Sequence, residues 1–132
     1  MKKHGILNSD IARVLASLGH TDCIVIGDCG LPIPDHVERI DLALRIGTPS
    51  FFDVLDEVLK DMQVERAVFA TEALDRNEAV MARATKMAGD GIGIDYLSHD
   101  DLKRLSHDAR VVIRTGEATP YANVVLYAGV IF

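Results

Sequence analysis

Six short runs rich in β-branched and aliphatic residues, separated by segments of helical period, constrain this chain more than any other feature. "CIVIG" (23–27), "RIDLAL" (39–44), "RAVFAT" (66–71), "GIDYLS" (93–98), "RVVIRT" (110–115) and "NVVLYAGVIF" (123–132) each read as a strand. Ahead of the first, "NSDIARVLASL" puts Ile11, Val14, Leu15 and Leu18 on one helix face, with Asn8 or Ser9 as cap and Asp10 in the first turn. Gly19 is expected in the left-handed position that ends many helices. "TPSFFDVLDEVLKDM" carries a broad apolar stripe through Phe51, Phe52, Leu55, Val58, Leu59 and Met62; Thr48 is its expected cap and Pro49 its first residue. "NEAVMARATKMA" and "DDLKRL" supply two weaker helices.

Short apolar strands alternating with helices predict an α/β fold, a mainly parallel sheet flanked by helices in Rossmann-like layers with right-handed crossovers. At 132 residues, 48% of them apolar and 26% charged, the chain can bury one core without metals or disulfides, so a single domain over 1–132 is expected. "VVLYAGVIF" is apolar to its last residue, which places it either inside the sheet or against another subunit.

Charge removes several classes of function. The net charge of −6 is spread without a basic run, which gives a phosphate backbone little to bind, so no nucleic-acid partner is expected. No stretch of about eighteen apolar residues runs together and "MKKHGILNSD" lacks a signal-peptide core, so neither a membrane partner nor export is expected and the default location is cytoplasmic. There is no GxGxxG after the first strand and no Walker loop; "GDGIG" at 89–93 has the glycines but precedes a strand. His4, His20, His36, His99 and His107 show no zinc-ligand spacing, so no metal is expected. Cys23 and Cys29, on or beside one extended strand, are separated by roughly 20 Å, beyond disulfide reach.

The candidate chemistry begins at "LGHTDCIVIGDCGLPIPD", where His20 and Asp28 bracket the first strand. Ligands in open parallel sheets gather beyond the carboxyl ends of the strands. Asp28, Glu72, His99 and the "TGEATPYAN" loop are expected along that edge, and His20 is expected to share one small pocket with Asp28. His20 follows a helix whose negative end favours an imidazolium, the property wanted in a general acid. A plainer role is a surface histidine bonded to the helix end. Asp28 has a plainer role too, closing the turn around Gly30. His99 and Lys103 share a helix face at a spacing of four, although His99 could simply start that helix and Lys103 be a solvated charge. Tyr121 and Asn123, around Pro120, offer the hydroxyl and amide that suit a neutral polyol, or turn chemistry.

Taken together, "LNSD", "LGHTD", "GLPIPD", "RIDLAL", "YLSHDDLK", "VIRTGE" and "TPYANVVL" resemble the ribose pyranase and fucose mutarotase family, from Lys2 to Phe132. The resemblance implies a cofactor-free isomerase that interconverts the β-pyranose and β-furanose forms of a free sugar, here D-ribose, in ribose uptake and catabolism. It assigns His20 as the acid, with Asp28 beside it as catalytic partner. Substrate contacts fall to Asp28, His99, Lys103, Tyr121, Ala122 and Asn123. It also implies a homo-oligomer, a decamer of two pentameric rings whose active sites are shared between neighbours. "GDCGLP" departs from the "ADAGLP" more usual in such proteins, setting Gly27 and Cys29 around Asp28. Three alternatives remain open: a fucose-type mutarotase, a non-catalytic module that holds sugar for a transporter or kinase, and a purely structural ring protein.

Overall fold

The computed structural model describes all 132 residues. Its chain order is α1 (Ser9–Ser17), β1 (Cys23–Gly27), β2 (Glu38–Asp41), α2 (Phe51–Asp61), β3 (Val64–Ala70), α3 (Ala73–Arg76), α4 (Glu78–Gly89), β4 (Gly93–Leu97), α5 (His99–Leu105), β5 (Val111–Arg114) and β6 (Val124–Ala128). The six strands form one sheet in the order β2-β5-β1-β6-β3-β4. β2, β5 and β1 pair in parallel, as do β3 and β4, while β6 runs antiparallel to both β1 and β3. The α/β class with a mainly parallel sheet therefore holds, and one reversed strand joins its two parallel halves.

That reversal places the site. Five strands end at one edge of the sheet, and β6 starts there, so the segment before β6 joins the loops after β1, β3 and β4. The opposite edge holds the start of β1 and β3 and the end of β6.

Alternation along the strands sorts side chains to two faces. Ile24 and Ile26 of β1 join Ile11, Val14, Phe51, Leu55, Val80 and Met87 in the larger core, under α1, α2 and α4. Cys23 and Val25 turn to the other face, where Leu102 of α5 and Leu31 and Val37 of the β1–β2 loop cover them. Each fully buried Ile or Phe side chain contributes roughly 1.5–3 kcal/mol relative to exposure.

Several boundaries differ from the sequence expectation, each for a local reason. α2 starts at Phe51, not Pro49, because Ser50 and Asp53 form a reciprocal capping box that the Thr48 hydroxyl does not match. β2 stops at Asp41: beyond it Leu42 makes one last bond to the Arg114 carbonyl, and Leu44 is exposed. β6 ends at Ala128 because its neighbours β1 and β3 offer no more ladder, leaving Ile131 and Phe132 exposed. Of the two alternatives for the last segment, the internal strand is realised as far as Ala128, and the apolar residues beyond it are exposed.

Gly19 is not left-handed. Its N–H donates to Asp22 Oδ2 at 2.8 Å and its carbonyl accepts from Asp22 N, and within that turn it is Thr21 that takes φ +69°.

Candidate active site

At the carboxyl edge, Asp28 and Asn123 grip each other through both ends. Asp28 N–H donates to Asn123 Oδ1 and Asn123 Nδ2 donates to Asp28 Oδ2, each at 2.9 Å. Gly30 N–H donates to the other Asp28 oxygen, also at 2.9 Å, so the turn-closing role is real and coexists with the Asn123 pair. A carboxylate has about four acceptor positions, so each Asp28 oxygen retains capacity toward a ligand. Asn123 is fully buried, as is Ala122 beside it, whereas Asp28 is half-buried.

Gly27 makes this approach possible. A Cβ there would lie 2.7 Å from Leu31 Cδ2 and 3.2 Å from Asn123 Oδ1.

Tyr121 and His99 meet on the same edge, their rings edge-to-face with centroids 5.2 Å apart. Tyr121 holds φ +58°, an uncommon conformation for an aromatic residue. His99 opens α5 behind the Ser98 cap, and its backbone N–H donates to both oxygens of Glu72 at 2.9 and 3.1 Å. Its ring Nδ1 is buried and has no partner. Lys103, one turn on, is paired with Asp100 at 2.7 Å and is half-buried.

The loop that presents Tyr121 is held from three sides. Thr115 Oγ1 donates to the Gly27 carbonyl at 2.8 Å. Glu117 accepts from the N–H groups of Phe51 at the start of α2, Ala118 and Thr119. Burial pushes the Glu117 carboxyl up, but the hydrogen bonds from Thr119, Phe51 and Ala118 outweigh it and hold the group below its ordinary value. Asn77 bonds Thr119 and Pro120 from the α3–α4 junction.

His20 lies elsewhere. It sits ahead of β1 at the amino edge, so the length of β1, roughly 16 Å, separates it from Asp28. Within one chain the two do not share a pocket. The helix-dipole argument also needs correction: Leu18 is already extended, and the partner of His20 is Glu65, Nε2 to Oε2 at 2.9 Å, with both side chains about half exposed. Next to it, Thr21 is held in its positive φ by Thr21 N–H to the Ala128 carbonyl at 3.0 Å.

The sequence reading missed Glu65, Asn77, Glu117 and Arg76, whose guanidinium lies 5.9 Å from the Tyr121 ring centre. Only Glu117, inside the quoted loop, carried any signal. A concavity of about 580 Å³ between α2 and α4, lined by Leu59, Lys60, Arg83 and Met87, is remote from these residues. The edge chemistry, rather than that groove, marks the candidate site. No three His, Cys, Asp or Glu side chains converge to hold a metal ion. Both cysteines are free; burial pushes the Cys23 thiol up to about 11, while Cys29 is half-buried beside Asp28.

The profile of the RbsD / FucU transport protein family matches residues 1–131. The chain belongs to this family. It is 62% identical to a D-ribose pyranase from Laribacter hongkongensis and 58% identical to one from Chromobacterium violaceum, in both cases over the whole of each chain. Among solved structures, that of Bacillus subtilis RbsD complexed with D-ribose superposes with a TM-score of 0.96 at 50% identity, covering both chains fully. A fucose mutarotase from Streptococcus pneumoniae, solved with L-fucose, gives 0.77 at 24% identity over 96% of this chain and 95% of its own, a likeness of fold.

Proposed function

We propose that the chain is an isomerase that interconverts the β-pyranose and β-furanose forms of free D-ribose, in ribose uptake and catabolism. The observation that carries this reading is the 62% identity, end to end, with a D-ribose pyranase. The carboxyl edge supports it. Asp28 is fixed by three hydrogen bonds yet keeps acceptor capacity, and the Tyr121 ring and hydroxyl adjoin His99.

In this reading the site is completed by a second copy. Because His20 and Asp28 occupy opposite edges of the sheet, the amino edge of one subunit packs on the carboxyl edge of the next, a head-to-tail contact that closes into a ring. His20 of one chain then faces Asp28 and Tyr121 of its neighbour. Exposed Ile131 and Phe132 at one edge, and exposed Leu44 and Ile46 at the other, support such stacking. The expected assembly is a decamer of two five-membered rings, located in the cytoplasm.

The chemistry needs no cofactor. A proton passes from His20 to the ring oxygen as the C1–O bond breaks, and the anomeric hydroxyl loses its proton as it becomes the aldehyde oxygen. Closure reverses these transfers, with the 4-hydroxyl attacking C1 in place of the 5-hydroxyl. Glu65 holds the His20 ring through Nε2 at 2.9 Å, and Asp28 accepts or orients the sugar hydroxyls. Asn123, spent on Asp28, acts on the sugar through it, while His99, Lys103, Tyr121 and Ala122 bound the place where it sits. Positioned acid or base assistance is worth on the order of 10² to 10⁴ in rate.

Saturation-transfer NMR on ribose tests this directly. Faster exchange between pyranose and furanose signals is expected, falling on His20→Ala. Faster α/β exchange of L-fucose with none for ribose would instead mark a fucose-type mutarotase. Ribose binding without any acceleration would mark a holding module, and no pentose binding at all a structural ring.

A further inference from the structure

Asn77 lies between α3 and α4 and is buried, although no sugar contact is assigned to it. Its side chain does two jobs. Oδ1 accepts from Val80 N–H at 3.2 Å and caps α4, while Nδ2 donates to the Pro120 carbonyl at 2.8 Å and to Thr119 Oγ1 at 3.1 Å. The amide orientation is forced from both sides, since a backbone N–H can only donate and a proline carbonyl can only accept. The residue after Pro120 is Tyr121, held at φ +58°. A side chain in that conformation persists only where its surroundings over-determine it. Thr119 and Pro120 are themselves exposed, so Asn77 is the buried anchor directly ahead of the strained residue.

We propose that Asn77 is a positioning residue for sugar binding, acting by clamping the Pro120 carbonyl so that Tyr121 is presented in its left-handed conformation opposite His99. The proposal rests on the reading of Tyr121 as a sugar contact. It concerns binding geometry and leaves the proton transfers to His20 and Asp28.

Asn77→Asp separates the two jobs. Aspartate caps a helix as well as asparagine does, so the Val80 bond survives, but a carboxylate oxygen then faces the Pro120 carbonyl with no hydrogen between them. The expected result is a KM for ribose raised about tenfold with kcat within about twofold, the equivalent of one strong hydrogen bond lost from binding alone. Amide hydrogen exchange should quicken about tenfold at Tyr121, Ala122 and Asn123 and stay unchanged at Val80. Thr119→Ala, which spares the Pro120 bond, should give a smaller rise of about threefold. Asn77→Ser, another capping residue but one without the amide NH2, should reproduce the split if the aspartate variant does not fold.

Asn8→Ala removes the cap of α1 and serves as the stability control, because its two bonds lie far from the loop. It should lower the melting temperature and leave KM alone. An unchanged KM in both Asn77 variants, faster exchange confined to α4, or an equal rise of KM in Asn8→Ala would overturn the proposal. A wild-type protein that accelerates no ribose exchange would defeat the functional reading instead, and the amide-exchange pattern would still decide whether Asn77 holds the loop.

Discussion

The two edges of the sheet are built in opposite styles. At the carboxyl edge, Asp28 is tied to Asn123 and Glu117 to Thr115, the set is bonded to β1 at Gly27 and to α2 at Phe51, and Thr115 and Asn123 are fully buried. At the amino edge, His20 stands half exposed with one ion pair to Glu65. Yet both edges carry a non-glycine residue at positive φ, Tyr121 in one and Thr21 in the other, and these are the only two in the chain. Strained backbone of this kind gathers at functional sites. In the proposed reading, the chain builds one half of the site in full and the other half is fixed by contact with a neighbour.

Complementation offers the largest expected effect. His20→Ala and Asp28→Asn should each lower the ribose exchange rate by about 10² to 10⁴. Mixed after co-refolding, the two inactive chains should recover roughly a quarter of wild-type activity, because one in four head-to-tail contacts joins an intact His20 to an intact Asp28. No recovery from verified mixed oligomers would place both residues' action within one chain and dissolve the contrast between the edges.

That contrast also explains what the sequence could disclose. The carboxyl edge was legible because its residues follow strands, and strands announce themselves through "CIVIG" and "RAVFAT". Asp28, Glu72, His99 and the 115–123 loop fall where topology sends them. The expectation that His20 and Asp28 share one pocket failed within the chain because they bracket β1 and so lie at its opposite ends. Nor was the reversal of β6, because an apolar run reads the same in either direction. Asn77 and Glu65 escaped for a different reason. Their partners are 43 and 45 residues away in the chain, beyond any local pattern.

A second test compares stability. Asn123→Ala strands the Asp28 N–H and one Asp28 oxygen, and at about 1–3 kcal/mol for each unsatisfied group the expected loss is roughly 2–6 kcal/mol. Glu65→Gln removes an exposed pair and should cost under about 1 kcal/mol. Urea denaturation of the two variants measures both. Comparable losses would mean that the amino edge is as firmly built as the carboxyl edge.

Acid should distinguish the edges next. Glu117 has its pKa depressed in the folded state, chiefly because hydrogen bonds from Thr119, Phe51 and Ala118 overcome the upward push of burial. A depressed carboxylate contributes stability that is fully present above its unfolded value, 4.5, and is lost as pH falls through the lower folded value. The stability gap between wild type and Glu117→Gln, about 2 kcal/mol for charge-assisted bonds, should therefore be constant near neutrality and close below pH 4.5. At the amino edge Asp22 is also depressed, first by the Gly19 N–H and then by Arg110, and it follows the same sign. Salt separates them. Asp22→Asn should lose part of its effect at about 1 M salt, where the Debye length is about 3 Å, while Glu117→Gln keeps its own because backbone dipoles are less screened than an exposed guanidinium.

The smallest expected effect sharpens the carboxyl edge itself. Gly27→Ala adds a Cβ, and a Cβ here would meet Leu31 Cδ2 at 2.7 Å and Asn123 Oδ1 at 3.2 Å. The two neighbours differ in freedom. Leu31 Cδ2 is the end of a flexible side chain and can rotate away, at a cost of about 1 kcal/mol for local overpacking. Asn123 Oδ1 is pinned by the Asp28 N–H at 2.9 Å and can yield only by a few tenths of an ångström. If the leucine absorbs the strain, Gly27→Ala should lower stability slightly and shift the KM for ribose less than about threefold. A larger rise would show that the added methyl moves Asn123, and through it the carboxylate of Asp28. The missing methyl would then be a part of how this chain shapes its sugar site, a consequence that ribose titrations of the two proteins would read directly.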